Sequence, residues 1–149
     1  VFSNDSVIIA TSKLKIDKKL SFFSRKYKIG FFSGSHNNLI KRYYDCAKLN
    51  KLKYLIRITA DCPFVDPYMI KNFLKYFLKN NKSYSCNCAP YEKRTYPVGS
   101  DIEIFKFSEL SKYCSAIPVF QKCGFLIQCP SISLGLRKRS GKSSCPILI

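Results

Sequence analysis

Apolar residues recur at helical spacing most clearly between residues 67 and 79. Ile70, Phe73, Leu74, Phe77 and Leu78 form one face there, with Lys71, Lys75 and Lys79 opposite, which predicts an amphipathic helix with one buried side. Asp66 and Pro67 open it, an N-cap carboxylate followed by proline at the first helical position. Ile40, Tyr43, Tyr44 and Ala47 repeat the spacing and predict a helix over 38–49, capped by Asn37 or Asn38. A shorter helix is predicted over 17–27, DKKLSFFSRKY, and a last one from a Ser108 cap through Tyr113. Strand-like runs lie between them: VIIAT at 7–11, KIGFFS at 28–33, YLIRIT at 54–59, a short run at 83–87, and DIEIFKF at 101–107, which alternates as a half-buried strand.

Strands that alternate with helices predict an α/β fold, a mostly parallel sheet with crossover helices. In such sheets ligands bind beyond the carboxyl ends of the strands. Three predicted loops lie there: Thr11-Ser12, Gly34-Ser35 and Asp61. A hydroxyl pair, a flexible turn and a carboxylate suit a phosphorylated ligand with Mg²⁺, which favours one or two carboxylates with phosphate oxygens and water. In "RITADCPFVDP" Asp66 has a sufficient structural role as a helix cap. Asp61 has none, and is the first candidate metal ligand. Asp101 and Glu103, near Gly99, alternate along a strand and are the candidates for a second.

The 149 residues, 46% of them hydrophobic and 15% aromatic, suffice for one domain with a core. No apolar run approaches the roughly 18 residues of a membrane span, and the start has no signal-peptide shape. A net charge of +17 ordinarily points to nucleic acid or anionic membrane. Here the lysines are scattered, and the abundant Lys, Asn, Ile, Phe and Tyr share A/T-rich codons, so coding bias accounts for the charge. Nucleic-acid binding is therefore not expected. Eight cysteines and one histidine include no C-x-x-C pair, so a zinc site is not expected. Cys86 and Cys88 are separated by one residue and point the same way on a strand. Without a secretory signal, reduced thiols in a cytoplasmic protein are expected.

The region after residue 115 differs. All nine acidic residues precede position 110, and the pattern fades into Ser, Gly, Pro and Cys. Residues 1–115 therefore read as a partial domain and 116–149 as an unpatterned basic tail, disordered or from a shifted reading frame. "GLRKRSGKSS" within it resembles a phosphate-binding loop, but five residues separate Gly135 from Gly141 where the motif needs four.

"VIIATS", "FFSGSHNNLIKRYYDCAK", "RITADCPFVDP" and "RTYPVGSDIEIFKFSELS", in this order, resemble the spore coat polysaccharide biosynthesis protein F family. That family sits in the cytidylyltransferase group with the acylneuraminate and CMP-KDO synthetases. The resemblance covers about residues 5–112. It implies a Rossmann-like nucleotide-diphospho-sugar transferase fold. It also implies cytidylyl transfer from CTP to a sugar or sugar acid in surface-polysaccharide synthesis. The aspartate at the position of Asp61 is then expected to hold Mg²⁺. Arg57 and Asp61 become the catalytic candidates, and Arg42, Arg94, Tyr96 and Gly99 the substrate-binding ones. Arg42 reads equally as a solvated helix face, and Tyr96 and Gly99 as loop-shaping residues. Arg57, in a buried strand, needs an anionic partner in either case.

The chain also departs from the family pattern. It lacks the opening A-R-x-x-S-x-R-L-P-G-K cradle and the later E-H-V-T-P segment. His36-Asn37-Asn38 stands in place of an acidic pair, and Val98 in place of an aspartate. The expectation is an incomplete domain with its natural N-terminus missing, little active alone, and with open sheet edges that favour a homodimer. Two other readings compete: a basic α/β module that binds nucleotide or another anion without catalysis, and a product of a damaged gene.

Overall fold

The computed structural model describes residues 6–116 and 147–148. They form one six-stranded sheet with helices against both faces. In chain order the elements are β1 (Val7–Ser12), α1 (Leu20–Tyr27), β2 (Gly30–Gly34), α2 (Leu39–Leu49), β3 (Tyr54–Arg57), α3 (Pro67–Lys79), β4 (Tyr84–Cys86), β5 (Glu103–Lys106), α4 (Phe107–Ala116) and β6 (Ile147–Leu148). The strand order is β2-β1-β6-β3-β5-β4.

Three pairings are parallel: β1 with β2, β1 with β6, and β3 with β6. The sheet is thus mostly parallel, as expected. β5 is the exception to crossover connection throughout, since it runs antiparallel to both β3 and β4. Alternation along DIEIFKF is the same for either direction, so periodicity alone does not distinguish them. Reversal brings the start of β5, with Gly99, Ser100 and Asp101 before it, to the edge where β3 ends.

The alternating strand residues divide between two cores. Ile8, Ala10, Leu55 and Phe105 point to one face, where α2 and α4 cover them with Ile40, Tyr43, Cys46, Ala47 and Leu110. Ile56, Ile58, Ile102 and Ile104 point to the other and meet Ile70 and Phe77 of α3. Phe77 is fully buried, which stabilises the fold by about 1.5–3 kcal/mol for that side chain alone.

Local chemistry sets the boundaries. Asp66 caps α3 by accepting a hydrogen bond from the Tyr68 backbone N–H at 2.6 Å, and Asn38 caps α2 through Lys41 N–H at 2.8 Å. The helix predicted over 17–27 is a 3₁₀ turn at Ile16–Lys19 followed by α1. Lys28 ends α1 in the left-handed region at φ 53°, so β2 starts at Gly30 rather than at residue 28. Beyond Ala116, only Ile147–Leu148 of the predicted tail are described. The rest of it, including the loop from Gly135 to Gly141, lies outside the described residues.

Candidate functional site

β1 and β3 flank β6, which pairs with Val7–Ile8 on one side and Ile56–Arg57 on the other. β1 runs on past that level through Ile9–Ser12, and the chain after β3 runs on through Ile58, Thr59 and Asp61. The carboxyl ends of β1 and β3 thus lie at the same edge of the sheet. β1 connects onward to β2 on one side while β3 lies on the other, so this is the topological switch point where open α/β sheets bind ligands.

Asp61 is exposed just past the end of β3. A hydrogen bond from the Thr59 hydroxyl, helped by the Asp61 backbone N–H, holds its carboxyl below the usual 3.8, because a donor favours the charged form. The turn itself is closed by Cys62 N–H on the Thr59 carbonyl at 3.1 Å. Asp61 is therefore an exposed carboxylate whose charged form is favoured, while Asp66 is spent on its cap.

The other predicted residues are held by internal partners. The anionic partner of Arg57 is Glu103: the two form an ion pair, and Arg57 Nε also donates to the Tyr43 hydroxyl at 3.3 Å. The second Glu103 oxygen accepts from the Tyr84 hydroxyl at 3.0 Å. Burial works most strongly against the Arg57 charge, but Glu103 and Tyr43 together outweigh it and raise the guanidinium. Arg94 pairs with Asp101 and donates to the carbonyls of Tyr96 at 2.7 Å and Pro97 at 2.6 Å. Arg42 donates to the Ser35 carbonyl at 2.8 Å and the His36 carbonyl at 3.3 Å, and so fastens the Gly34-Ser35 turn. Gly99 adopts φ +87°, and a Cβ there would lie 3.1 Å from Phe64. Its carbonyl accepts from Phe64 N–H at 2.9 Å, tying the two loops together. The Tyr96 side chain is exposed.

Glu103 is buried with both oxygens engaged, and Asp101 is paired with Arg94. Among the described residues no three His, Cys, Asp or Glu side chains converge as a metal-binding group. Asp61 alone among the three candidates is free of an ion pair. One carboxylate still fits a magnesium ion that takes its other ligands from phosphates and water.

Two residues escaped sequence reasoning. Asp17 accepts a hydrogen bond from the Ser12 hydroxyl, which holds its carboxyl below the usual value. This places a second carboxylate beside the end of β1. Lys13 lines a cavity of about 590 Å³ beyond β2, with Ser33, Gly34, Ser35, His36 and Lys41. Neither position stands out by spacing: Lys13 lies in the bend after β1 and Asp17 in the 3₁₀ turn before α1, and where both fall depends on how α1 packs.

A family model described as cytidylyltransferase matches residues 2–115. An uncharacterized protein of Methanocaldococcus jannaschii is 28% identical over 108 residues, which cover 72% of this chain and 42% of that protein. The spore coat polysaccharide biosynthesis protein SpsF of Bacillus subtilis is 28% identical over 81 residues, 54% of this chain and 34% of that one. A solved cytidylyltransferase structure from Leptospira borgpetersenii superposes with a TM-score of 0.69 at 34% identity, over 74% of this chain and 46% of the other. The chain thus spans less than half the length of each of these relatives.

Proposed function

The chain belongs to the cytidylyltransferase family, and from that premise we propose that it is part of a sugar nucleotidyltransferase of surface-polysaccharide synthesis. The substrates are CTP and a sugar or sugar acid. The reaction is in-line attack by a sugar oxygen on the α-phosphate, with pyrophosphate leaving. Likeness to SpsF, whose name gives it a role in polysaccharide biosynthesis, supports the pathway. Substrates of this kind and the lack of any membrane-spanning helix among the described residues are consistent with a cytoplasmic site of action.

The observation that carries the reading is Asp61, an exposed carboxylate with its charged form favoured, just past the end of β3 at the switch point. Asp61 would hold Mg²⁺, which when bound neutralises phosphate charge. Ser12, at the end of β1 across the switch point, donates its hydroxyl to Asp17 and so holds that carboxylate beside the same edge of the sheet. Arg57 acts as a positioning residue, since its pair with Glu103 fixes the end of β3 from which the Asp61 turn departs. Arg94 does the same for the loop carrying Tyr96 and Gly99.

The test is CTP binding by calorimetry, with and without Mg²⁺, in the native chain and Asp61→Asn. Loss of the Mg²⁺-dependent component in the variant supports the reading. Equal or tighter CTP binding by Asp61→Asn, insensitive to Mg²⁺, overturns it in favour of a basic anion-binding module.

A further inference from the structure

α1 carries aromatic residues that the cores do not use. Of its eight residues only Ser24 is buried, and neither core includes Leu20, Phe22, Phe23 or Tyr27. Among the described residues thirteen large hydrophobic side chains are exposed, and six of them fall between residues 14 and 31: Leu14, Ile16, Phe22, Phe23, Tyr27 and Phe31. Exposed apolar residues scattered singly need no explanation, but a concentration of them marks a contact surface.

The backbone gathers these residues. Lys15, the 3₁₀ turn Ile16–Lys19 and α1 follow one another in right-handed helical conformation, so Ile16, Leu20, Phe23 and Tyr27, at helical spacing, line one side. Phe22 adjoins that line, its ring edge-on to Phe23 with centroids 5.8 Å apart. Cations surround it. Lys13, Lys15, Lys18, Lys19, Arg25, Lys26 and Lys28 are all exposed, and Lys26 Nζ lies 5.4 Å from the Tyr27 ring centroid. The one acid of this stretch, Asp17, is held by the Ser12 hydroxyl. The lysines scatter over the chain as a whole, yet seven basic groups stand against one acid between residues 13 and 28.

We propose that Lys13–Lys28 is a docking surface for an anionic phospholipid bilayer, with α1 lying flat among the headgroups and Phe22, Phe23 and Tyr27 dipped into the apolar boundary. Charge decides the occupant. A second copy of the chain would set seven cations against seven, and an uncharged apolar partner would leave them all unanswered. A bilayer with anionic lipid answers both features: headgroup charge attracts the cations, and rings at the acyl boundary bury apolar surface. Lysine stems are long enough to reach headgroups while the rings sit deeper. Single-stranded nucleic acid would match the charge and stack on the rings, but it has no use for the exposed aliphatic Leu14 and Ile16. The proposal rests on α1 and its flanks and not on Asp61.

The test is co-sedimentation of the full chain with vesicles of phosphatidylcholine alone or of phosphatidylcholine and phosphatidylglycerol in equal parts. Binding to the mixed vesicles and not to the neutral ones, weakened by salt, is expected. A chain of net charge +17 adheres to many anionic surfaces, so variants decide. Phe22→Ser with Phe23→Ser keeps the charge and should abolish binding, while an unchanged thermal midpoint checks its folding. Lys18→Gln, Lys19→Gln and Lys26→Gln together should lower the partition coefficient about a hundredfold. The same change at Lys48, Lys51 and Lys53, exposed around the end of α2, should leave it nearly unchanged. The β1–α1–β2 and β2–α2–β3 connections run in opposite directions along the sheet, so right-handed crossovers put α1 and α2 on opposite faces. The chain has no tryptophan, so Phe22→Trp reports on α1 alone, and its emission should shift to the blue on mixed vesicles. No sedimentation, equal binding to neutral vesicles, equal losses from the two lysine sets, or an unshifted emission overturns the proposal. Binding that survives Phe22→Ser with Phe23→Ser also overturns it, leaving general charge attraction. Tighter binding to single-stranded RNA than to vesicles, lost in that variant, assigns the surface to nucleic acid instead.

Discussion

Arg57 and Glu103 stand opposite each other in the β3–β5 register and form an ion pair whose side chains are only 16% and 7% exposed. The Arg57 guanidinium also lies 5.7 Å from the Tyr43 ring centroid, and Tyr84 holds the second carboxylate oxygen. One pair thus joins β3, β4, β5 and α2 at the carboxyl end of β3. Charges this enclosed are stable only together.

Breaking one side should be costly. Glu103→Gln leaves Arg57 without its counter-charge, and a loss of about 3–5 kcal/mol is expected for an unpaired buried charge. Urea unfolding followed by circular dichroism measures it. Arg57→Met combined with Glu103→Leu should recover most of that loss. An unchanged midpoint for the single variant would show that the pair is solvated.

The two aspartates of the RITADCPFVDP stretch should separate. Asp66→Ala removes the α3 cap and should cost about 1 kcal/mol of stability without altering Mg²⁺-dependent CTP binding. Asp61→Asn should do the reverse, abolishing that binding with little change in the unfolding midpoint. Parallel losses of stability and binding in both variants would contradict the assignment.

Asp17 gives a pH signature. Its folded value is depressed by the Ser12 hydroxyl below the ordinary 3.8. Its contribution to stability is therefore complete above 3.8 and is lost as pH falls through the lowered value. Ser12→Ala should raise the Asp17 midpoint toward 3.8, as read from carboxyl carbon shifts. It should also flatten the acid limb of the stability curve.

Gly99 combines φ +87° with a Cβ position 3.1 Å from Phe64. Gly99→Ala should cost about 1–3 kcal/mol of backbone strain, measured by thermal unfolding. Its hydrogen bond to Phe64 N–H should exchange faster. A neutral substitution would mean that the loop relaxes freely.

Much of the fold was legible because strong periodicity and caps agree: α2 and α3 lie where Ile40, Tyr43, Ile70 and Phe77 place them, each behind its predicted capping residue. The direction of β5 was not legible, since alternation is blind to strand polarity. At the site, the Asp61 turn was placed correctly from its position after an apolar strand. Partner choice was not. That Arg57 would find Glu103, and Arg94 would find Asp101, depends on the antiparallel register and on loop closure, neither of which is written in local spacing. Ser12 and Asp17 meet for the same reason, across a polar loop with no periodic mark.

β6 joins the β2-β1 half of the sheet to the β3-β5-β4 half through two residues on each side. It is also, among the described strands, the last in chain order. The other five described strands therefore leave the ribosome before the one that lies between β1 and β3. Through that interval the nascent protein holds an open slot between two half-formed sheets, with unpaired backbone on both walls. Closing it requires contacts between strands far apart in sequence, the kind that form slowest. The waiting state, rather than the finished one, is where this protein is most exposed to aggregation and to capture by a chaperone.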